Sequence, residues 1–236
     1  VARANADVTV ADGAELDAAG SVDLEAQARR DADTTRPEDP TGNLVPVGPA
    51  AVSYGQLQGA SSVTVAEGAV VEGGDVTAQA TSTDQLNVAA ATEVERPAGS
   101  GSQSSSTRPP GVGGALAIGY TDTSTRVEVD GEVIATGETG DTAGDVAVAA
   151  RHDAKYATAA NYAIVGGEAA AGLTGAIAAL DDDTKALVGG AIDAAGDVAV
   201  TADTDVAGNS VAAQTKAGST DLDYATESVR GASRYL

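Results

Sequence analysis

The sequence predicts an all-β chain: a right-handed single-stranded parallel β-helix (β-solenoid) with two extruded loops. Three observations predict it. The chain lacks Cys, Met, Trp and Phe and has six Tyr as its only aromatic residues, so its apolar positions are filled mainly by Ala and Val. A globular core usually relies on large side chains, each worth roughly 1.5–3 kcal/mol when buried. A core of Ala and Val must instead be thin, with backbones held close by hydrogen-bonded ladders. The second observation is a pattern that recurs along the chain, and the third is a strict alternation of apolar and polar residues within it.

The repeat has the form strand, Gly turn, short strand, Gly-Asp turn, strand, and internal self-similarity of this kind marks stacked architectures. Its first copy is Val8-Thr9-Val10-Ala11-Asp12-Gly13-Ala14 followed by Gly20-Ser21-Val22-Asp23-Leu24. The second is Val63-Thr64-Val65-Ala66-Glu67-Gly68-Ala69, then Gly74-Asp75-Val76. The third is Val127-Glu128-Val129-Asp130-Gly131, then Gly144-Asp145-Val146. The fourth is Ala186-Leu187-Val188-Gly189-Gly190-Ala191, then Gly196-Asp197-Val198. In the strand after the second turn, Val22, Leu24, Ala26 and Ala28 point one way and Asp23, Glu25 and Gln27 the other. A period of two means one face buried and one wet.

Val22, Val76, Val146 and Val198 stand roughly 50–70 residues apart, longer than the usual solenoid coil of about 20–30 residues. Each long repeat is therefore expected to make two or three coils. A second motif supports this. Gly114-Ala115-Leu116-Ala117-Ile118, a short polar turn and Thr125-Arg126-Val127-Glu128-Val129 match Gly175-Ala176-Ile177, the turn Asp181-Asp182-Asp183 and Thr184-Lys185-Ala186-Leu187-Val188. The expectation is roughly nine to twelve coils, on the order of 45–55 Å long at about 4.8 Å per rung.

Between Glu168 and Val188, Leu173, Ile177, Leu180 and Leu187 also fit a helix. Gly172, Gly175 and their flanking glycines each cost a helix about 1 kcal/mol, and the match to the Gly114 region favours strand. Residues 36–50, with Pro37, Pro40, Pro46 and Pro49, and residues 97–111, Ser-rich and ending in Pro109-Pro110, break the pattern. Proline cannot donate to a ladder, so both read as loops extruded from one continuous segment spanning 1–236. A domain boundary at the Ser-rich run is the alternative.

The net charge is −22, from 35 acidic and 13 basic residues. Nucleic acid is not an expected partner, because phosphate binding needs basic side chains. The acidity reads either as a salt-adapted surface or as calcium capture, and scarce Lys with abundant Asp favours salt adaptation. No apolar run approaches the roughly 18 residues of a membrane span. Val1-Ala2-Arg3-Ala4 opens without the basic and apolar regions of a signal peptide, so the chain is expected to be a fragment or mature segment of something longer.

The Gly-Ala-x-Ala runs at Gly114 and Gly175, the strands led by Thr125 and Thr184, and the corners at Asp75, Asp145 and Asp197 together resemble the long repeats of filamentous haemagglutinin-type and leukotoxin-like filamentous adhesins. The resemblance covers most of the chain outside the two loops. It implies a right-handed parallel β-helix, secreted and displayed at a cell surface for attachment or as a rigid spacer, with no catalytic residues to carry over. The acidity and the few Asn depart from that pattern.

The single histidine, His152 in Arg151-His152-Asp153, reads as a solvated residue in a polar turn just after a strand rather than a catalytic imidazole. Parallel β-helices include polysaccharide lyases and hydrolases, which use grouped carboxylates with Arg or Lys. Arg151, His152 and Lys155 are the nearest basic cluster, and Asp181-Asp182-Asp183 the densest acidic one. Asp181, Asp182 and Asp183 are also the calcium candidates, although no EF-hand or Gly-Gly-x-Gly-x-Asp nonapeptide is present and a charge run in a turn is more often solvated. Thr121, Thr123 and Thr125 read as ordinary β-propensity rather than as an ice-binding face.

The resulting expectation is a structural segment of an extracellular adhesin or stalk: not an enzyme, with no cofactor beyond possible calcium. Its partners would be flanking repeats of the same parent chain, end-to-end or lateral copies of itself, and an unidentified surface glycan or protein. A β-helical enzyme acting on acidic polysaccharide is the rival reading, and a salt-adapted sandwich domain a third.

Overall fold

The structure, a computed structural model, describes residues 1–34, 50–95, 111–137, 143–165 and 170–218. Among these every regular element is a strand. The strands are β1 (Ala2–Arg3), β2 (Ala6–Val10), β3 (Glu15–Asp17), β4 (Val22–Asp33), β5 (Ala50–Val65), β6 (Val70–Gly73) and β7 (Val76–Glu95). They continue as β8 (Gly111–Val129), β9 (Glu132–Ala135), β10 (Val146–Val165), β11 (Ala170–Val188), β12 (Ala191–Ala194), β13 (Val198–Val206) and β14 (Ser210–Gly218).

Three sheets hold them. β1, β2, β5, β8 and β11 form the first; β3, β6, β9 and β12 the second; β4, β7, β10, β13 and β14 the third. Every pairing is parallel. The chain visits the three sheets in the same order four times, and each visit lands beside the previous one. Val22 pairs with Val76, Val76 with Val146, and Val146 with Val198. This architecture is compatible with a β-helix or solenoid.

The count of circuits corrects the expectation from sequence. Among the described residues there are four, not nine to twelve. At about 4.8 Å per rung the stack is only about 15 Å tall. The expectation divided the repeat by the usual coil of about 20–30 residues, and two segments read as turns supported the division. Thr121–Ser124 lies inside β8, and Asp181–Asp183 inside β11, with Asp181 to Asp183 registered on Asp122 to Ser124. One repeat is thus one long circuit. Its strands are unusually extended: β7 and β10 have 20 residues each, about 65 Å at 3.3 Å per residue.

The strand assignment over Glu168–Val188 holds for β11, which starts at Ala170. Of the two predicted loops, 36–49 and 97–110 lie outside the described residues, while Ala50 and Gly111 already begin β5 and β8. Among the described residues no helix is long and apolar enough to cross a membrane.

The first and third sheets face each other across the interior, and the predicted alternation sets which side chains enter it. Leu24, Ala26 and Ala28 are buried, whereas Asp23, Glu25 and Gln27 are exposed. Two apolar clusters result. One, built from Val10, Val63, Val65, Val71, Val76, Val127, Val129, Val146 and neighbouring Ala, lies toward the second sheet. The other, with Leu57, Leu86, Val88, Ala117, Tyr156 and Tyr162, lies toward the far ends of the long strands. Gly13 and Gly68 turn the first corners of circuits one and two with φ of 70° and 80°, a region costly for residues bearing Cβ. In circuit three that corner shortens to Asp130-Gly131.

Candidate functional site

Between the two apolar clusters the inward positions turn polar. Along β7 the inward series runs Ala80, Ser82, Asp84, Leu86, and along β10 it runs Ala150, His152, Ala154. On β4 the same stretch carries Ala28, Arg30 and Ala32; on the facing β8 it carries Thr121, Thr123 and Thr125, all buried. The site is therefore an internal layer, assembled because parallel register stacks the same stretch of every circuit.

Arg30, Asp84 and His152 form its centre. Arg30 Nε donates to Asp84 Oδ1 at 2.7 Å, and Nη2 donates to Asp84 Oδ2 at 3.0 Å. The same Nη2 lies 2.7 Å from Ser82 Oγ, and Nη1 donates to the Ala4 carbonyl at 3.0 Å. Asp84 Oδ2 also accepts from Ser82 Oγ at 3.2 Å and from His152 Nε2 at 2.9 Å. Because a carboxylate accepts, the proton of this bond sits on Nε2. Burial alone would raise the Asp84 pKa; hydrogen bonds from His152 and Arg30, then their charges, outweigh it and hold the carboxyl below its ordinary value. The fork-on-fork geometry is the strong form of such a pair.

A second group links the facing sheets. Asp182 accepts from Thr123 Oγ1 at 2.7 Å and from the Tyr156 hydroxyl at 2.9 Å. Burial, then the Asp182 charge and hydrogen bond, push the Tyr156 phenol well above its ordinary range. Ser61 Oγ donates across the interior to the Ala26 carbonyl at 2.9 Å.

These positions revise several expectations. His152 is not in a solvated turn: it lies inside β10 and is 1% exposed, because Asp84 of the preceding circuit satisfies it. Arg151, His152 and Lys155 do not act together, since His152 points inward while Arg151 and Lys155 point out. Asp181, Asp182 and Asp183 are divided in the same way. Asp182 faces the interior, whereas Asp181 and Asp183 are exposed and Asp183 accepts from Lys185 Nζ at 2.7 Å. Among the described residues no group of three or more His, Cys, Asp or Glu stands close enough to hold a metal ion. The Thr121–Thr125 series faces inward, so it offers no outer ladder.

No family model, curated protein or solved structure matches the chain.

That geometry suits cross-linking of circuits. Arg30, Asp84 and His152 come from circuits one, two and three, and Asp182 and Tyr156 tie circuit four to circuit three. None of the central trio reaches solvent. Outside, basic side chains pair along their own strands: Arg126 with Glu128 at 2.7 Å and Arg151 with Asp153 at 3.2 Å. A hollow lined by Asp12, Ala66, Glu67 and Gly68 lies at the first corner.

Arg30, Asp84, Tyr156 and Asp182 were missed as partners by the sequence reading. A signal for the first pair existed. The alternation that buries Leu24, Ala26 and Ala28 also sends Arg30 inward, and a buried guanidinium requires an acid of matching parity on a neighbouring row, which Asp84 supplies.

Proposed function

We propose that the chain is a structural segment, a right-handed parallel β-solenoid belonging to a secreted, surface-displayed adhesin or stalk, with no catalytic role. The observation that carries this reading is the register running through all four circuits: each buries its Val and Ala face against the next, and nearest-neighbour stacking of this kind makes stiff, extendable scaffolds. The polar layer supports it, because its hydrogen bonds are spent between circuits inside the stack. The exposed Asp23, Glu25, Asp31 and Asp33 of β4 are in keeping with a surface adapted to high salt, where screening relieves self-repulsion.

The test has two arms. Antibodies raised against the chain should label the outside of intact source cells, and label seen only after lysis overturns surface display. Incubation with a panel of acidic polysaccharides, with and without calcium, should release no product; turnover lost in Arg151→Ala or Asp182→Ala would establish the enzymatic reading instead.

A further inference from the structure

We propose that the outer face of the first sheet binds an uncharged polysaccharide, with the rings of Tyr54 and Tyr120 stacked on its sugar rings and Gln56, Gln58 and Asp122 hydrogen-bonded to its hydroxyls. This rests on the structural-segment reading for its setting and adds the class of ligand and the residues that take it.

Register assembles the face. Alternation sends Val52, Tyr54 and Gln56 of β5 outward, and Leu116, Ile118 and Tyr120 of β8 with them. Val52 shares a row with Leu116 and Gly175, Tyr54 with Ile118 and Ile177, and Gln56 with Tyr120 and Ala179. The two tyrosines, far apart in sequence, thereby become diagonal neighbours on adjacent strands, a spacing of about 8 Å that aromatic side chains can bridge. The Tyr54 hydroxyl donates to Gln56 Oε1 at 3.0 Å, which lays the ring along β5 toward the row of Tyr120. Val52, Tyr54 and Ile177 are 73%, 48% and 55% exposed, large for apolar side chains gathered on one face. β8 has a strand on either side, and any further strand in this register lies beside these, not over their outward side chains.

Two properties choose the ligand. In a chain of net charge −22, with 20% of its residues charged, these three rows carry no charge. The surrounding field repels anionic polymers, and the rows themselves offer a cation no counter-charge. The second property is the mixture of surfaces. A sugar ring has a C–H face and an edge of hydroxyls. The negative face of a phenol ring attracts the first, and amides and carboxylates hydrogen-bond to the second. The row beyond Tyr120 holds Arg3, Gln58, Asp122 and Asp181, so such groups border the rings. Area argues against a protein in this place. Three rows on three strands cover on the order of 200 Å², against the ~800 Å² each partner contributes to a stable protein complex. A polysaccharide strand is narrow enough to lie along them.

The experiment is affinity electrophoresis of the whole chain through native gels holding hydroxyethylcellulose, dextran or galactomannan at graded concentrations. Wild type should be retarded by at least one of them. Tyr54→Leu with Tyr120→Leu keeps the apolar area but removes both rings, and should weaken binding about tenfold or more. Tyr54→Phe with Tyr120→Phe keeps the rings and should retain most of it. Thr81→Ala with Thr83→Ala, on the outer face of the third sheet, should leave retardation unchanged. The carboxymethyl derivative of the polymer that binds should bind more weakly in solution titration. No retardation by any of the three polymers, equal retardation of the leucine variant, or preference for the carboxymethyl derivative would overturn the proposal. So would self-association in sedimentation velocity that Ile118→Lys abolishes, which would make the face a contact between copies of the chain. Binding is read without cells, so its failure leaves the surface-labelling test of the structural reading untouched.

Discussion

Arg30 on the first circuit and Asp84 on the second form a two-pronged ion pair, 2.7 and 3.0 Å long, with both side chains wholly removed from solvent. Removing charge from water is costly, and attraction inside the protein repays it only when geometry and hydrogen bonding are complete. Here Ser82, His152 and the Ala4 carbonyl complete them. Breaking one side leaves an uncompensated buried charge. Asp84→Ala should lower unfolding free energy by about 3–5 kcal/mol, measured by urea denaturation. Arg30→Met with Asp84→Leu, which removes both charges, should be much less destabilising than Asp84→Ala alone. A double variant as unstable as the single would mean that packing, not charge, sets the cost.

Acid sensitivity follows from the same carboxylate. Its folded pKa lies below its ordinary value of 3.8, so the folded state favours the ionised form. The associated stability is fully present above the unfolded pKa of about 3.9 and disappears as pH falls through the lower folded value. Arg30 and His152 face Asp84 directly, and Tyr156 is close enough to feel its charge. The slope of stability against pH on the acid side should therefore be shallower in Asp84→Asn than in wild type, read from thermal midpoints over an acid pH series. Equal slopes would place the acid-sensitive group elsewhere.

Close approach of backbones makes the opposite kind of demand. A Cβ on Gly190 would meet the carbonyl oxygens of Gly131 and Asp130, the latter at 2.5 Å. Both are backbone atoms of the corner beneath, where Gly131 O accepts the Ala191 N–H at 3.1 Å, and neither can swing aside as a side chain would. Gly190→Ala should destabilise by about 1–3 kcal/mol, the usual cost of overpacking. Gly175→Ala meets only the Leu116 Cδ1 methyl, at 3.2 Å, and should stay within about 0.5 kcal/mol of wild type. Thermal unfolding of the two variants side by side checks the contrast.

The difference between these sites also explains what sequence could disclose. Alternation and the Gly-Asp-Val corners are local patterns, so the inward Leu24, Ala26 and Ala28 and the row through Val22, Val76, Val146 and Val198 were legible. Partnerships between residues far apart in the chain were not. Asp182 meets Tyr156 and Thr123 at separations of 26 and 59 residues, and His152 meets Asp84 at 68. Without those partners, Asp181–Asp183 and Thr121–Ser124 look like turns, because polar runs inside long strands are tolerable only when every second residue is satisfied within. That misreading agreed with the usual coil length of about 20–30 residues, and together they split each circuit into several and multiplied the expected height. A separate reading, of Arg151-His152-Asp153 as a polar turn, placed a buried imidazole on the surface.

The corner aspartates provide a test of how the circuits are joined at their edge. Asp145 is exposed, so its carboxylate meets little desolvation cost, yet it accepts the backbone N–H of Asp197 at 2.8 Å while its own N–H donates to Asp75 Oδ1 at 2.9 Å. A net hydrogen bond of this kind is worth about 0.5–1.5 kcal/mol. Asp145→Ala removes the acceptor for Asp197 but leaves its own backbone bond to Asp75 intact. Protection of the Asp197 amide in hydrogen exchange should fall several-fold, while that of the Asp145 amide should change little. Asp145→Asn retains an acceptor oxygen and should recover most of the loss. Equal loss of protection at both amides would show that the corner opens as a unit, and that the side-chain ladder is not what holds circuit four to circuit three at this edge.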